Sequence, residues 1–328
     1  MKRETTQIFL KHFIADGDIT IVDLTTVFSM SENVISATPG YDRNHEYLPE
    51  IRFTLLFNLK HMRPGYYRFV AGPIRDVSTI KITLKESGIR KAILIGDKGF
   101  YSEQNLIELE KAHINYIIPL RRNSGLIDYE PCRGDRNKFQ GYFMFDSRPV
   151  WFHSSWNGRR IILFLDESLR LEEEKDVLLR KNGMDTFNEK QFILGTIAVI
   201  TDLEKSEREV YELLKQRSKV EQAFDTFKNV LHADRTYMRD DYALEGWFLV
   251  NFVSLLLYYE IYNLLRENDL LSKYSPMDVL VHMSRIHKLK IKNKWVTSEI
   301  PKKVRVQCSK VHRNPRYEPK DPYIMNAL

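Results

Sequence analysis

The chain has 328 residues, 43% of them hydrophobic, which is enough for one large domain or two ordinary ones with a sizeable core. Charged residues make up 29% and the formal net charge is +6, so the chain falls among soluble proteins and its balance favours an anionic partner, of which nucleic acid is the commonest. The two cysteines, Cys132 and Cys308, lie far apart, which excludes a disulfide framework and a CxxC metal site and fits a reducing cytosol. The N-terminal MKRETTQIFLKHF has no long apolar run and is not a secretory signal.

The first dozen residues read as the stub of a helix. ITIVDLTTVFS, 19–29, is rich in β-branched side chains and reads as a buried strand. A polar loop over 30–49 follows. IRFTLLFNL, 51–59, reads as a second strand, and YYRFVAGPI, 66–74, as a third beyond a turn at Pro64-Gly65. The three predict an antiparallel meander. Asp76 is placed as the N-cap of a helix over 77–87 that Gly88 ends. KAILIGD, 91–97, is a strand ending on an acid; Ser102 caps a helix over 103–112, and INYIIPL, 114–120, is the next strand. The order β-β-β-α-β-α-β predicts an α/β fold, a mixed sheet with helices on its faces.

From 121 to 190 the pattern changes to short aromatic strands at 142–145, 150–153 and 160–165 and a charged helix over 167–182. This segment reads as a β-rich insertion. Residues 192–201 return to strand character, a long helix runs over 204–231, and another over 240–266 carries GWFLVNFVSLLLYY. That apolar run has 14 residues, short of the ~20 that a membrane span needs. It reads as a buried core helix, with no membrane partner. The divisions are thus 1–120 and 191–266 for two parts of one core, 121–190 for the insertion, and 267–328 for a basic tail.

Two acids stand out by position. Asp23 lies inside an apolar strand and Asp97 ends another. A charge in a buried strand is costly unless it is paired or metal-bound, and a strand end is where an active site normally lies. The plainer alternatives are that Asp97 caps the following turn and that Asp23 pairs with a basic neighbour. The long helix supplies a third acid. At ~100° per residue its core face is Leu213, Val220, Phe224, Phe227 and Leu231, and Arg217, Glu221 and Lys228 share a stripe roughly 40–80° away. Here the plainer alternative is a solvated i,i+4 pair of Arg217 with Glu221. Three such carboxylates can hold two divalent cations, Mg²⁺ or Mn²⁺, for in-line chemistry on a phosphodiester. Arg217 and Lys228 can hold the DNA backbone. No phosphate loop, zinc-protease or nucleophile-elbow motif competes.

With Asp23, Asp97 and Glu221 in this order, the chain resembles the RNase H-like core of DDE transposases, and more narrowly the insertion-sequence-4-type group of prokaryotic elements. The group's helix signature is Tyr, Arg three residues on, Glu four after that and Lys seven further; Arg217, Glu221 and Lys228 match it within RSKVEQAFDTFK. GDKGFYSEQNL resembles the group's second acidic segment and IVDLTTVF the first. The resemblance covers about residues 17–265, and 121–190 corresponds to the β-rich insertion that precedes the Glu helix. It implies cleavage of element ends and strand transfer into target DNA, catalysed by Asp23, Asp97 and Glu221 with two metal ions. It also implies a homo-oligomer on paired terminal inverted repeats, in the cytoplasm beside the nucleoid.

Two departures stand against the pattern. Leu214 occupies the signature tyrosine position, with Tyr211 one turn earlier. Only some 18 residues precede the first acidic strand, so the sequence reads as truncated before its repeat-recognition region. Two further functions share the same acids: an RNase H-like nuclease without strand transfer, and an inactive DNA-binding remnant. Among secondary candidates, Asp225 lies further round the Glu helix, Lys98 reads as solvated, and Trp151 and Trp156 could stack on a displaced base or pack the insertion.

Overall fold

The computed structural model describes residues 3–13, 19–31, 33–39, 48–71, 77–89, 92–180, 183–291 and 294–298. Asp76, Cys308 and the tail beyond residue 298 lie outside the described residues.

The N-terminal stub is α1 (Arg3–Leu10), continued by a 3-10 turn, Lys11–Phe13. There follow β1 (Thr20–Ser29), the short β2 (Thr38–Pro39), β3 (Pro49–Asn58) and β4 (Arg63–Ala71). Next come α2 (Val77–Ser87), β5 (Ala92–Ile95), α3 (Glu103–Lys111) and β6 (Asn115–Pro119). The insertion supplies β7 (Gly141–Phe145), β8 (Arg148–Trp156), β9 (Arg160–Asp166), α4 (Glu167–Leu178) and α5 (Gly183–Lys190). The chain then runs through β10 (Thr196–Thr201), α6 (Glu207–Asp225), a π-helical turn (Thr226–Val230), β11 (Arg235–Thr236), α7 (Asp241–Glu267) and α8 (Pro276–Met283). A hairpin of β12 (Lys288–Ile291) and β13 (Lys294–Thr297) closes the described part.

One mixed sheet organises these elements, in the order β2-β3-β1-β5-β6-β10-β9-β8-β7, with β4 on β3 and β11 on β1. β1, β3 and β4 form the antiparallel meander, while β5 lies parallel to β1 and β6 parallel to β5. This is the RNase H-like mixed sheet that the resemblance implied. β10 runs antiparallel to both β6 and β9, so the insertion strands continue the same sheet.

Three features differ from the reading of the sequence. Pro64 and Gly65 lie inside β4, because the turn closes earlier: the His61 amide donates to Asn58 Oδ1 at 2.9 Å and Met62 takes a φ of 47°. A register shift between Leu56 and Phe57 admits the proline, which has no N–H for the ladder and is tolerated at such irregularities. The charged helix expected over 167–182 is α4 and ends at Leu178, α5 follows over Gly183–Lys190, and β10 starts only at Thr196. Gly195 makes that turn with φ 73°, and its backbone lies against Arg170, where an added Cβ would meet the arginine Cβ at 2.4 Å. The third difference is α7, which is covered on one side only. Phe248, Phe252, Leu255 and Tyr259 are buried, whereas Val250 is 65% and Leu257 60% exposed. The helix is long and apolar enough to cross a membrane by length and composition. Its inner face, however, covers the sheet, and buried Glu245 accepts from Arg3 of α1 at 3.3 Å.

An aromatic column ties the meander to the last helices. Phe53 on β3 stacks on Phe227 at 4.6 Å and on Phe248 at 5.4 Å, and Phe69 on β4 stacks on Phe248 at 4.8 Å. Truncating Phe53 to alanine removes the ring that stacks on both Phe227 and Phe248. The expected loss is about 3–5 kcal/mol, read as a lower urea midpoint; a loss under about 1 kcal/mol would mean that the column does not hold the helices to the sheet.

Candidate active site

The site begins with an interruption in the sheet. β5 accompanies β1 only from Thr20 to Val22, and β11 takes the same flank only at Phe28 and Ser29. Between them, Asp23 to Val27 have no strand beside them on that flank among the described residues, while β3 pairs continuously on the other. Asp23 sits at the start of this gap. Its side chain is nearly buried, and Oδ1 accepts the Leu24 amide at 2.9 Å.

Helix α6 brings the partners. Val220 and Phe224 are buried, so α6 lies with that face on the sheet and its adjoining stripe turned toward β1. Arg217 Nε stands 3.5 Å from Asp23 Oδ2 and 3.6 Å from Glu221 Oε1. One guanidinium thus joins an acid of the central strand to an acid of the helix. Burial pushes the Asp23 carboxyl up to about 6; Arg217 and the Leu24 amide oppose that rise, and Glu221 adds to it. Glu221 itself is half exposed.

Asp97 follows β5 by two residues and is exposed. Its Oδ1 accepts the Gly99 amide at 2.8 Å, closing a turn. Gly96 lets the chain leave the sheet there, since an added Cβ would meet Phe100 Cβ at 3.1 Å. Asp23, Leu24, Arg52, Gly96, Asp97 and Phe100 line a single cleft of about 90 Å³. The structure therefore gathers Asp23, Arg217 and Glu221 into one charged chain and sets Asp97 across a shared cleft from Asp23. Each plainer alternative is also realised: a turn cap at Asp97, a basic partner for Asp23, and an i,i+4 pair on α6.

Lys228 lies in the π-helical turn Thr226–Val230 and is half-buried. Asp225, exposed, accepts from Asn229 at 2.6 Å. Leu214 is half-buried. Tyr211 faces the insertion, buried against Phe143, Phe145 and Phe164, and donates to Asp166 Oδ2 at 2.8 Å. Trp151 packs beside Tyr142 at 5.1 Å. Trp156 is exposed at the β8–β9 turn, beside the Thr201 end of β10. Lys98 is exposed.

Arg52 was not singled out from sequence. Its guanidinium donates to Thr26 Oγ1 and, at 3.3 Å, to buried Glu50. The signal was present: a cation within the apolar run IRFTLLFNL is as conspicuous as Asp23 within its own strand.

The family model for the transposase DDE domain matches residues 14–257, well over half of the chain. The chain belongs to the transposase DDE domain family. No curated protein sequence matches it. Among solved structures it is similar to a piggyBac transposase, seen by cryo-EM in a synaptic complex with hairpin DNA. The identity is 12% and the TM-score 0.45, over 78% of this chain and 50% of that one. The chain thus spans half the length of that transposase.

The candidate donors Asp23, Asp97 and Glu221 are carboxylates, which suit a hard divalent cation. Asp23 is a buried acid that one arginine leaves with a raised affinity for protons, and a metal ion would favour its ionised form. The residues therefore fit such an ion in kind. Among the described residues no three potential ligands are drawn close enough to hold it together; Arg217 stands between Asp23 and Glu221.

The raised carboxyl fixes the sign of a pH effect. The native state holds the Asp23 proton more tightly than the unfolded chain, so this group's contribution to stability is lost as pH rises from about 4 through about 6. With EDTA present, wild type should lose on the order of 2 to 3 kcal/mol relative to Asp23→Asn between pH 4 and pH 7. Denaturant melts at both pH values measure it, and a difference independent of pH would contradict the buried-acid assignment.

Proposed function

We propose that the protein is the catalytic core of a DNA transposase, an enzyme that cleaves phosphodiester bonds at the ends of a mobile element and transfers the strands to target DNA. The observation that carries this reading is the meeting of a central-strand acid, Asp23, with a helix acid, Glu221, through Arg217, beside a cleft that Asp23 shares with Asp97. In this reading Asp23, Asp97 and Glu221 are the catalytic residues and the ligands of Mg²⁺ or Mn²⁺. A two-metal site of this type supplies an activated water or 3′-hydroxyl and charge stabilisation at the leaving oxygen. The rigid strand β1 fixes the Asp23 carboxylate. Asp97 and Glu221, both exposed, approach the scissile phosphate from the open side. Arg217 and Lys228 hold the backbone phosphates of the DNA, and the net charge of +6 favours that partner.

The helix residues Arg217, Glu221 and Lys228 support membership of the insertion-sequence-4-type group of prokaryotic elements. Its members would place the protein in the cytoplasm beside the nucleoid, as a homo-oligomer on paired terminal inverted repeats. Leu214 at the signature tyrosine position separates this chain from that pattern. Tyr211 cannot stand in for the tyrosine, because its hydroxyl is spent on Asp166 in the insertion interface. Strand cleavage would therefore proceed without a tyrosine contact from that turn.

DNA carrying the element's ends, incubated with Mg²⁺ or Mn²⁺, should be nicked at its 3′ ends. EDTA should abolish the reaction, and Asp97→Asn or Glu221→Gln should lower the rate at least about 10³-fold. Absence of cleavage by a folded wild-type protein would leave the inactive remnant, and cleavage without joining would leave a nuclease. Lys228→Ala should weaken binding of all DNA sequences alike and reduce the salt slope by about one. A sequence-selective loss would rule out a phosphate contact at that lysine.

A further inference from the structure

We propose that Arg217 is a resident counter-ion that competes with the divalent cation for Asp23 and Glu221, and that it passes to a DNA phosphate when the cation enters. The inference rests on the reading of these acids as metal ligands. Its basis is where the guanidinium sits and how loosely it is held. The contacts of 3.5 Å to Asp23 and 3.6 Å to Glu221 are longer than good charge-assisted hydrogen bonds. Arg217 Nε is buried and has no hydrogen-bond partner within normal reach. The side chain therefore lies between two carboxylates by charge, without the two-pronged fork that makes arginine pairs strong.

Charge balance then gives the direction of the exchange. Asp23 and Glu221 carry two negative charges, and Arg217 leaves one uncompensated. A divalent cation on the same two oxygens would turn that balance to one positive charge, with two cations in contact across a partly dry site. Like charges so placed repel strongly. A phosphodiester bears one negative charge and offers the planar oxygens that a guanidinium binds in bidentate fashion. The way out is open, because Glu221 is 56% exposed and Arg217 itself 26%. Cation entry and capture of the scissile phosphate become one exchange, in which the arginine that kept the acids apart from metal becomes a clamp on the substrate. A purely structural pair would behave in the opposite way. Removing its arginine would leave Asp23 uncompensated and destabilise the fold, with no gain in metal affinity.

The experiment is Mn²⁺ binding to the DNA-free full chain, counted from the free-ion EPR signal, for wild type, R217Q, R217K, D23N and E221Q. R217Q should bind Mn²⁺ at least about tenfold more tightly than wild type, since a competing charge has gone, and R217K should stay near wild type. D23N and E221Q should lose binding. Equal or weaker binding by R217Q, with binding lost in D23N, would overturn the exchange and leave the ligand reading standing. Undiminished binding in D23N and E221Q would overturn the ligand reading itself. A second measurement uses wild type alone and covers a failure of R217Q to fold. The Arg217 Nε–H NMR signal should shift and exchange faster with water as Mg²⁺ is added, and a signal that does not move would overturn the proposal.

Discussion

A carboxylate in the middle of a central strand cannot retreat from its position, so the rest of the fold has to bring a cation to it. Asp23 is held by β1, which pairs with β3 along nine consecutive residues. That leaves no freedom to swing the backbone toward water. The burden falls on α6. A capping box at Ser206 and Glu209, with the Ser206 amide donating to Glu209 at 3.1 Å, fixes where this helix starts. Tyr211 pins its first turns to the insertion, and Val220, Phe224 and Phe227 seat its far end on the sheet. With both ends fixed, the direction of Arg217 and Glu221 follows from helical geometry alone.

The interrupted flank of β1 is the second half of the same design. A strand continuing beside β1 past Val22 would fill the space where Arg217 and the cleft shared with Asp97 lie. β5 stops, and the chain leaves through the Gly96 turn toward Asp97. The flank is taken up again by β11, whose neighbourhood supplies the Asp234 carbonyl to the Phe28 amide at 3.0 Å. The π-helical turn after Asp225 delivers the chain to that point. Rigid sheet above and below the gap keeps the acid positions defined while leaving them accessible.

Much of this was legible in the sequence because it depends on local pattern. The β-branched run around Asp23, the short apolar run before Asp97 and the regular spacing of Val220, Phe224 and Phe227 each name an element and a face. What was not legible depends on partners distant in the chain. Nothing local to Pro64-Gly65 shows that Asn58 closes the turn first. The π turn after Asp225 leaves no signature in a pattern read at constant pitch. Tyr211 looked like a misplaced signature residue until Asp166 and three phenylalanines of the insertion surrounded it. Arg52 carried the right signal and lacked only a reason to weigh a basic residue as heavily as an acidic one.

The continuity of the sheet through β10 bears on how such a chain can change over time. β10 is bonded on both sides, to β6 and to β9. Removing 121–190 would strip one side of an apolar strand and expose a row of bare backbone donors and acceptors, a template for pairing with another chain. It would also strand the Tyr211 hydroxyl and the aromatic face around it. The insertion is therefore less a passenger than the sheet's own border. Loops can lengthen at its hairpin tips without disturbing β10, but wholesale deletion would trade a folded protein for a self-associating one.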